Sequence, residues 1–254
     1  MSTLLAGAAV ALGALMSATP VVPQDGDPGP YHGSYSYASA PTFRIFATRV
    51  GLVGQRTANG YRIRYRDHFV ALPSRRGLSV PGNRDRAVRV CNGELCAYVP
   101  VMDVGPWNTR DDYWNYDRRS WRDLGRGVPQ AQAAYFSRHN DGRDERGRRV
   151  RNPAGIDLGD GTFWDGLGMR RNSWVRVTFL WLGSRINPAR VNGGSGRAIT
   201  VWSSPGRGRQ VGVAADHVLL DVLCKTNNWY RIAYRNWVPR YQMSGGESAR
   251  RCRR

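Results

Sequence analysis

The sequence predicts a mainly β, loop-rich protein with one or two short helices, arranged as two β domains behind an exported leader. Thirty glycines, 14 prolines and nine tryptophans favour short strands joined by tight turns over a helical bundle. Apolar residues alternate with a period of two in several runs, and only one window carries a helix start signal. With 41% hydrophobic residues in 254, the chain can bury a real core.

The elements follow in order. Residues 4–16 form a short apolar run of Leu, Ala, Gly, Val and Met, followed by the small residues Ser17, Ala18 and Thr19. That is the pattern of a signal peptide over residues 1–19, although no positive charge precedes it. Residues 20–42, with Pro20, Pro23, Pro28 and Pro30, read as a flexible linker. The chain is therefore expected to be secreted or held in the cell envelope, with no membrane span in the mature part. A first domain is expected over 43–183. Within it, Val99, Val101 and Asp103 share one face of a strand, and Val175, Val177, Phe179 and Trp181 share a face of another. Pro129 opens a helix of about 128–138. A second linker covers 184–196, most plainly Asn187–Gly196, and a second domain covers 197–254, small enough to need a staple.

The four cysteines suit an oxidising compartment. Cys91 and Cys96 flank a hairpin tip and are expected to form one disulfide, leaving Cys224 and Cys252 for a second. A structural zinc site needs two close Cys or His pairs, and none exists. No cofactor or metal is implied. Asn140–Gly147 lacks the spacing of a calcium loop and reads as a solvated turn, while His139 and His217 have no metal-spaced partners. The net charge of +19 is a weaker clue than its size, because Lys225 is the only lysine and the other 37 of the 38 basic residues are arginine. That bias looks as much like codon usage as like a basic surface. No nucleic acid partner is expected, since no recognised motif accompanies the charge.

Four short motifs appear in order: Thr57-Ala-Asn-Gly60, Ala71-Leu-Pro73, Asp103-Val-Gly-Pro106 and Ile156-Asp-Leu158. Together with the closing Val-Arg-Val-Thr-Phe strand they resemble the six-stranded double-psi β-barrel of the rare lipoprotein A family, shared with expansins and family 45 endoglucanases. The segment between Trp107 and Pro153 is longer than that family leads one to expect. In the second domain, Ala198-Ile-Thr-Val-Trp202, Asn228-Trp-Tyr-Arg-Ile232 and Trp237-Val238 resemble a small bacterial SH3-like barrel of the kind that accompanies cell-wall enzymes.

Cleaving a glycosidic bond requires a proton for the leaving oxygen and stabilisation of an oxocarbenium-like transition state. Asp103 is the leading candidate for the acid, because a carboxyl on an apolar strand face loses hydration and its pKa rises; the competing role is capping the Gly-Pro turn. The resemblance implies that Asp157 assists, and places His68 near a family histidine. Five aromatic residues in Trp107–Trp121 could supply sugar subsites, or could instead fold over the barrel core. Trp107, Tyr113, Trp114, Trp121 and Trp164 are taken as substrate-binding, with Tyr61. Tyr61 stands where the family motif continues T-A-N-G-E, and this missing glutamate puts cleavage in doubt. The Arg146, Arg148, Arg149 and Arg151 cluster is a candidate contact for anionic wall polymers. The resulting expectation is a wall protein that cleaves peptidoglycan glycan strands as a lytic transglycosylase. The alternative is an expansin-like protein that binds or loosens polysaccharide without cutting it.

Overall fold

The computed structural model describes residues 40–194 and 196–253. The signal and most of the first linker lie outside the described residues. The chain is mainly β with few helices, built on a closed barrel of six strands. The barrel strands are β1 (Thr42–Val50), β2 (Val70–Leu72), β3 (Ala87–Asn92), β4 (Leu95–Val104), β5 (Ala154–Gly159) and β6 (Ser173–Phe179). Their order around the barrel is β4-β2-β5-β1-β6-β3, closed by pairing of β3 with β4. Two pairs, β1 with β5 and β2 with β4, are parallel; the other barrel pairs are antiparallel. This mixed order matches the double-psi expectation. Ile45, Val70, Leu72, Val88, Val99, Val101, Ile156, Leu158 and Val177 point inward and have no exposed surface.

The long segment between β4 and β5 is held by a buried polar network and one aromatic cluster. The helix α1 (Gln130–Ser137) begins after Pro129, which has no side chain able to cap it. Asp111 caps it from a distance instead. One of its carboxylate oxygens accepts from the Gln130 N–H at 2.6 Å, and the other pairs with Arg118 at 2.6 Å, with all three residues buried. Gln130 in turn accepts from Asn108 Nδ2 at 2.8 Å and donates to the Arg143 carbonyl at 2.7 Å. Tyr113 and Trp114 fold inward onto Phe179 and Trp181, with Trp114 stacked 5.1 Å from Phe179. The segment docks where β5 bulges: Gly155 has no partner on β1, its carbonyl accepts from the Tyr113 hydroxyl at 3.0 Å, and a Cβ there would overlap the Pro129 ring.

The C-terminal strands are β7 (Pro188–Val191), β8 (Ile199–Trp202), β9 (Gln210–Ala214), β10 (Leu219–Asp221), β11 (Cys224–Lys225), β12 (Trp229–Ala233), β13 (Asn236–Pro239) and β14 (Met243–Gly245). Part of the expected second linker is ordered structure. Residues 188–191 form β7, between β10 and β14, because alternate Ala189 and Val191 are fully buried. β9 runs parallel beside β4, extending the barrel sheet. The approach is close enough that a Cβ on Gly212 would overlap the Cys96 carbonyl, and Gly212 adopts φ +151°, which favours glycine. Cys91–Cys96 and Cys224–Cys252 are the two disulfides, as expected; the first staples the β3–β4 hairpin and the second ties the C-terminal end to β11. No helix among the described residues is long and apolar enough to cross a membrane.

Trp114→Ala should empty the centre of the aromatic cluster and cost about 3–5 kcal/mol in urea unfolding. Tyr116→Ala, which removes an exposed ring two residues away that is covered by the Arg126 guanidinium, should cost no more than about 1 kcal/mol.

Candidate functional site

The two aspartates singled out in the sequence lie in one row across adjacent strands. Ala71 of β2 is opposite Asp103 of β4 on one side and Asp157 of β5 on the other, and Asp157 is opposite Thr48 of β1. Paired residues share a face, so Asp103, Ala71, Asp157 and Thr48 all lie on the outer face of the barrel. Strand spacing puts the two aspartate backbones about 10 Å apart, with only an alanine methyl between them.

Asp103 does not share the apolar face of Val99 and Val101 that strict alternation predicts. A bulge offsets β4 against β2: Val101 is opposite Val70, but the next β2 residue, Ala71, faces Asp103. Met102 is the extra residue. Val99 and Val101 remain in the core, while Asp103 turns to the opposite face, toward Asp157. Its carboxylate is held there rather than desolvated in an apolar layer. Oδ1 accepts from the Ala58 N–H at 2.8 Å and from its neighbour Val104 N–H at 2.9 Å. The Thr57–Gly60 turn presents that first donor. Thr57 and Asn59 are buried and bonded to each other at 2.6 Å, and Asn59 N–H reaches the Met102 carbonyl at 3.3 Å.

The carboxyl with lost hydration is Asp157. Although partly exposed, it lies among enough protein atoms that desolvation pushes its pKa up to about 6. The hydrogen bond donated by Thr48 Oγ1 opposes the rise, and the negative charge of Asp103 adds to it. Below about pH 6, Asp157 holds a proton on a face where its neighbour, Asp103, is fixed by two backbone donors.

Other predicted site residues separate into groups. Tyr113 and Trp114 have no exposed surface, so the reading of them as sugar-binding rings is corrected: packing on Phe179 uses them in the core. Trp107 is partly buried against Ala131, Ala134 and Val150, and its indole N–H donates to Asn152 at 3.1 Å. Trp121 meets His139 edge-on at 5.3 Å. Trp164 follows β5, in the turn Gly161–Gly166, and the guanidinium groups of Arg49 and Arg66 lie 4.9 and 5.2 Å from its ring. Tyr61 packs on the small apolar cluster of Ile63, Phe69 and Met102, where burial raises its phenol pKa. His68 is partly buried, with Nδ1 unpartnered and its pKa lowered by desolvation; no hydrogen bond joins it to Asp103 or Asp157. Within the basic cluster, Arg148 is committed to Asp144 and to the Trp107 carbonyl. Among the described residues no three His, Cys, Asp or Glu side chains converge as a metal site.

The sequence reading missed an aromatic track on the same outer face. Phe46 lies two residues before Thr48 on β1 and opposite Trp174 on β6. Phe46 and Trp174 meet edge-on at 5.6 Å, Trp174 and Phe136 lie near-parallel at 6.3 Å, and Phe136 and Tyr135 of α1 meet at 5.1 Å. Phe136 and Tyr135 are exposed. The available signal was Phe46 itself, an aromatic out of phase with the inward Ile45 and Ala47.

With this geometry in place, the chain can be set beside known proteins. A search of curated proteins finds no match. Among solved structures, a mutant Clavibacter michiganensis expansin in complex with cellohexaose matches 83% of this chain and 93% of its own at 13% identity, with a TM-score of 0.28. A likeness this distant says nothing of what the present chain binds. Residues 41–178, which hold the barrel and both aspartates, match a family described as a domain of unknown function (DUF8814), and the chain belongs to that family.

Proposed function

We propose that this is an envelope protein acting on polysaccharide: a glycan strand lies across the outer barrel face, and the Asp157–Asp103 pair cleaves a glycosidic bond in it. The observation that carries this reading is convergence. The T-A-N-G turn supplies the Ala58 N–H, the A-L-P segment supplies Ala71, and D-x-G-P and I-D-L supply the two aspartates, so four motifs spread over about 100 residues meet at one row.

Asp157, protonated below about pH 6, donates its proton to the glycosidic oxygen as the C–O bond breaks. Asp103, fixed on Oδ1, faces the positive charge that develops on the sugar ring. The neutral leaving hydroxyl departs. In the lytic course, which the motif resemblance favours, the sugar's own C6 hydroxyl then attacks C1 and gives its proton to a carboxylate, forming an anhydro ring with no net uptake of water. The Phe46–Trp174–Phe136–Tyr135 track begins on β1, the strand beside Asp157, and leads away over β6 and α1; its exposed end, Phe136 and Tyr135, offers rings for sugar C–H faces, while Arg44 lies 4.6 Å from the Trp174 ring. Tyr61, in place of the family glutamate, supports the second reading: binding and loosening without cleavage.

Mass spectrometry of peptidoglycan digests separates the readings. Wild type should release anhydro-terminated fragments, and Asp157→Asn should reduce them at least about 100-fold while leaving co-sedimentation with wall material unchanged. Co-sedimentation with no fragments from wild type leaves the binding reading, and loss of both sinks the proposal.

Titration gives a separate check. Because the Asp157 pKa is raised in the folded state, its ionisation opposes folding: the penalty is absent below the unfolded value near 4 and complete above about 6. Relative to wild type, Asp157→Asn should therefore gain about 1–3 kcal/mol on going from pH 4 to pH 7.5, measured by urea unfolding at each pH. Wild-type cleavage should fall as pH rises through about 6.

A further inference from the structure

We infer that the loop between β4 and α1 carries a separate oxyanion-binding site, formed by Arg122 and Arg126 beside the buried Arg118 and suited to a phosphate or carboxylate group carried on a sugar-sized molecule. It shares no residue with the aspartate row and does not depend on the function proposed for that row. The three arginines line a cavity of about 470 Å³ together with Tyr116, Asp117 and Leu124. That volume suits a small polar ligand.

The charges in the cavity are not balanced. Arg118 is 4% exposed; one terminal nitrogen pairs with Asp111, the other makes long contacts of 3.3 and 3.4 Å to carbonyls, and its buried Nε has no partner. Arg122 donates through Nε to the Arg118 carbonyl at 3.0 Å, and Arg126 through Nε to the Trp114 carbonyl at 2.8 Å. Both guanidinium groups are thus anchored at one nitrogen, and neither has a carboxylate partner among the described residues. Arg126 is further fixed by lying 3.6 Å over the Tyr116 ring. The one acid in the lining, Asp117, is already paired with Arg76 at 2.9 Å, which lowers its pKa. Anchored guanidinium forks with unused donors are pre-organised for an oxyanion, since the entropy of ordering their side chains has already been lost.

Isothermal titration of the full chain with inorganic phosphate, glucuronate and glucose tests the site. Saturable binding of phosphate, glucuronate or both, with none for glucose, is expected, and the preferred anion identifies the source of the charge. The double variant Arg122→Ala/Arg126→Ala should weaken binding at least tenfold with an unchanged unfolding midpoint, since neither side chain holds a buried acid. Arg118 is left intact because its loss would strand Asp111. Failure of both anions to bind, equal binding of glucose, or unchanged affinity in the double variant would overturn the inference.

Discussion

The offset at Met102 is the constraint on which the candidate site depends. Without the extra residue, strict alternation would carry Asp103 inward on the face of Val99 and Val101, into a layer where an ionised carboxylate has no partner. With it, β4 stays in register with β2 up to Val101, and then delivers Asp103 opposite Ala71. The T-A-N-G turn completes the arrangement, because its Ala58 N–H fixes the re-aimed carboxylate and its Asn59 N–H caps the Met102 carbonyl released by the irregularity. One local departure from the strand repeat thus explains why a turn 45 residues earlier has its particular form.

Ala71 matters for the same geometry. Ala71 is only 2% exposed, so a larger residue between the aspartates would have to displace the protein atoms that cover it. The short side chain keeps the carboxyls near enough for Asp103 to raise the Asp157 pKa. The two acids then differ in kind: backbone donors hold one, while the other has lost water and has a single hydroxyl donor. Environments that separate two like groups in this way are how one surface supplies both a proton and a negative charge.

Much of this was legible in the sequence. The runs that become β4 and β6, the helix after Pro129 and the Cys91–Cys96 pair follow from alternation, a proline and a hairpin tip, because each is a local signal; the rest of the barrel came from the motif resemblance, and Cys224–Cys252 is the pair that an even count leaves over. The pairing of Asp103 with Asp157 was suggested only by motif resemblance, and the period-two argument given for Asp103 failed because a bulge leaves no trace in composition. Tyr113 and Trp114 were misplaced for a different reason. A polar loop rich in rings looks exposed until Asp111, Arg118 and Gln130 satisfy one another and let the rings turn inward. Phe46 and Trp174 went unseen because their proximity arises from β1–β6 register, a relation between distant residues.

The buried network of the β4–α1 loop links these points to the charge of the chain. Asp111 is desolvated enough that its pKa is pushed up to about 6 even beside Arg118, so the pair is held by geometry rather than by a large electrostatic gain. Keeping the cation there has a structural use: it caps α1 through Asp111 and holds the carbonyls of Leu124 and Gly125, which shape the turn bearing Arg126. The arginines that follow it in sequence are anchored through main-chain carbonyls, which cannot neutralise them. An arginine-rich chain therefore does not spread its charge evenly. It leaves the guanidinium groups of Arg122 and Arg126 without carboxylate partners among the described residues, on a loop separate from the strand row that carries Asp103 and Asp157.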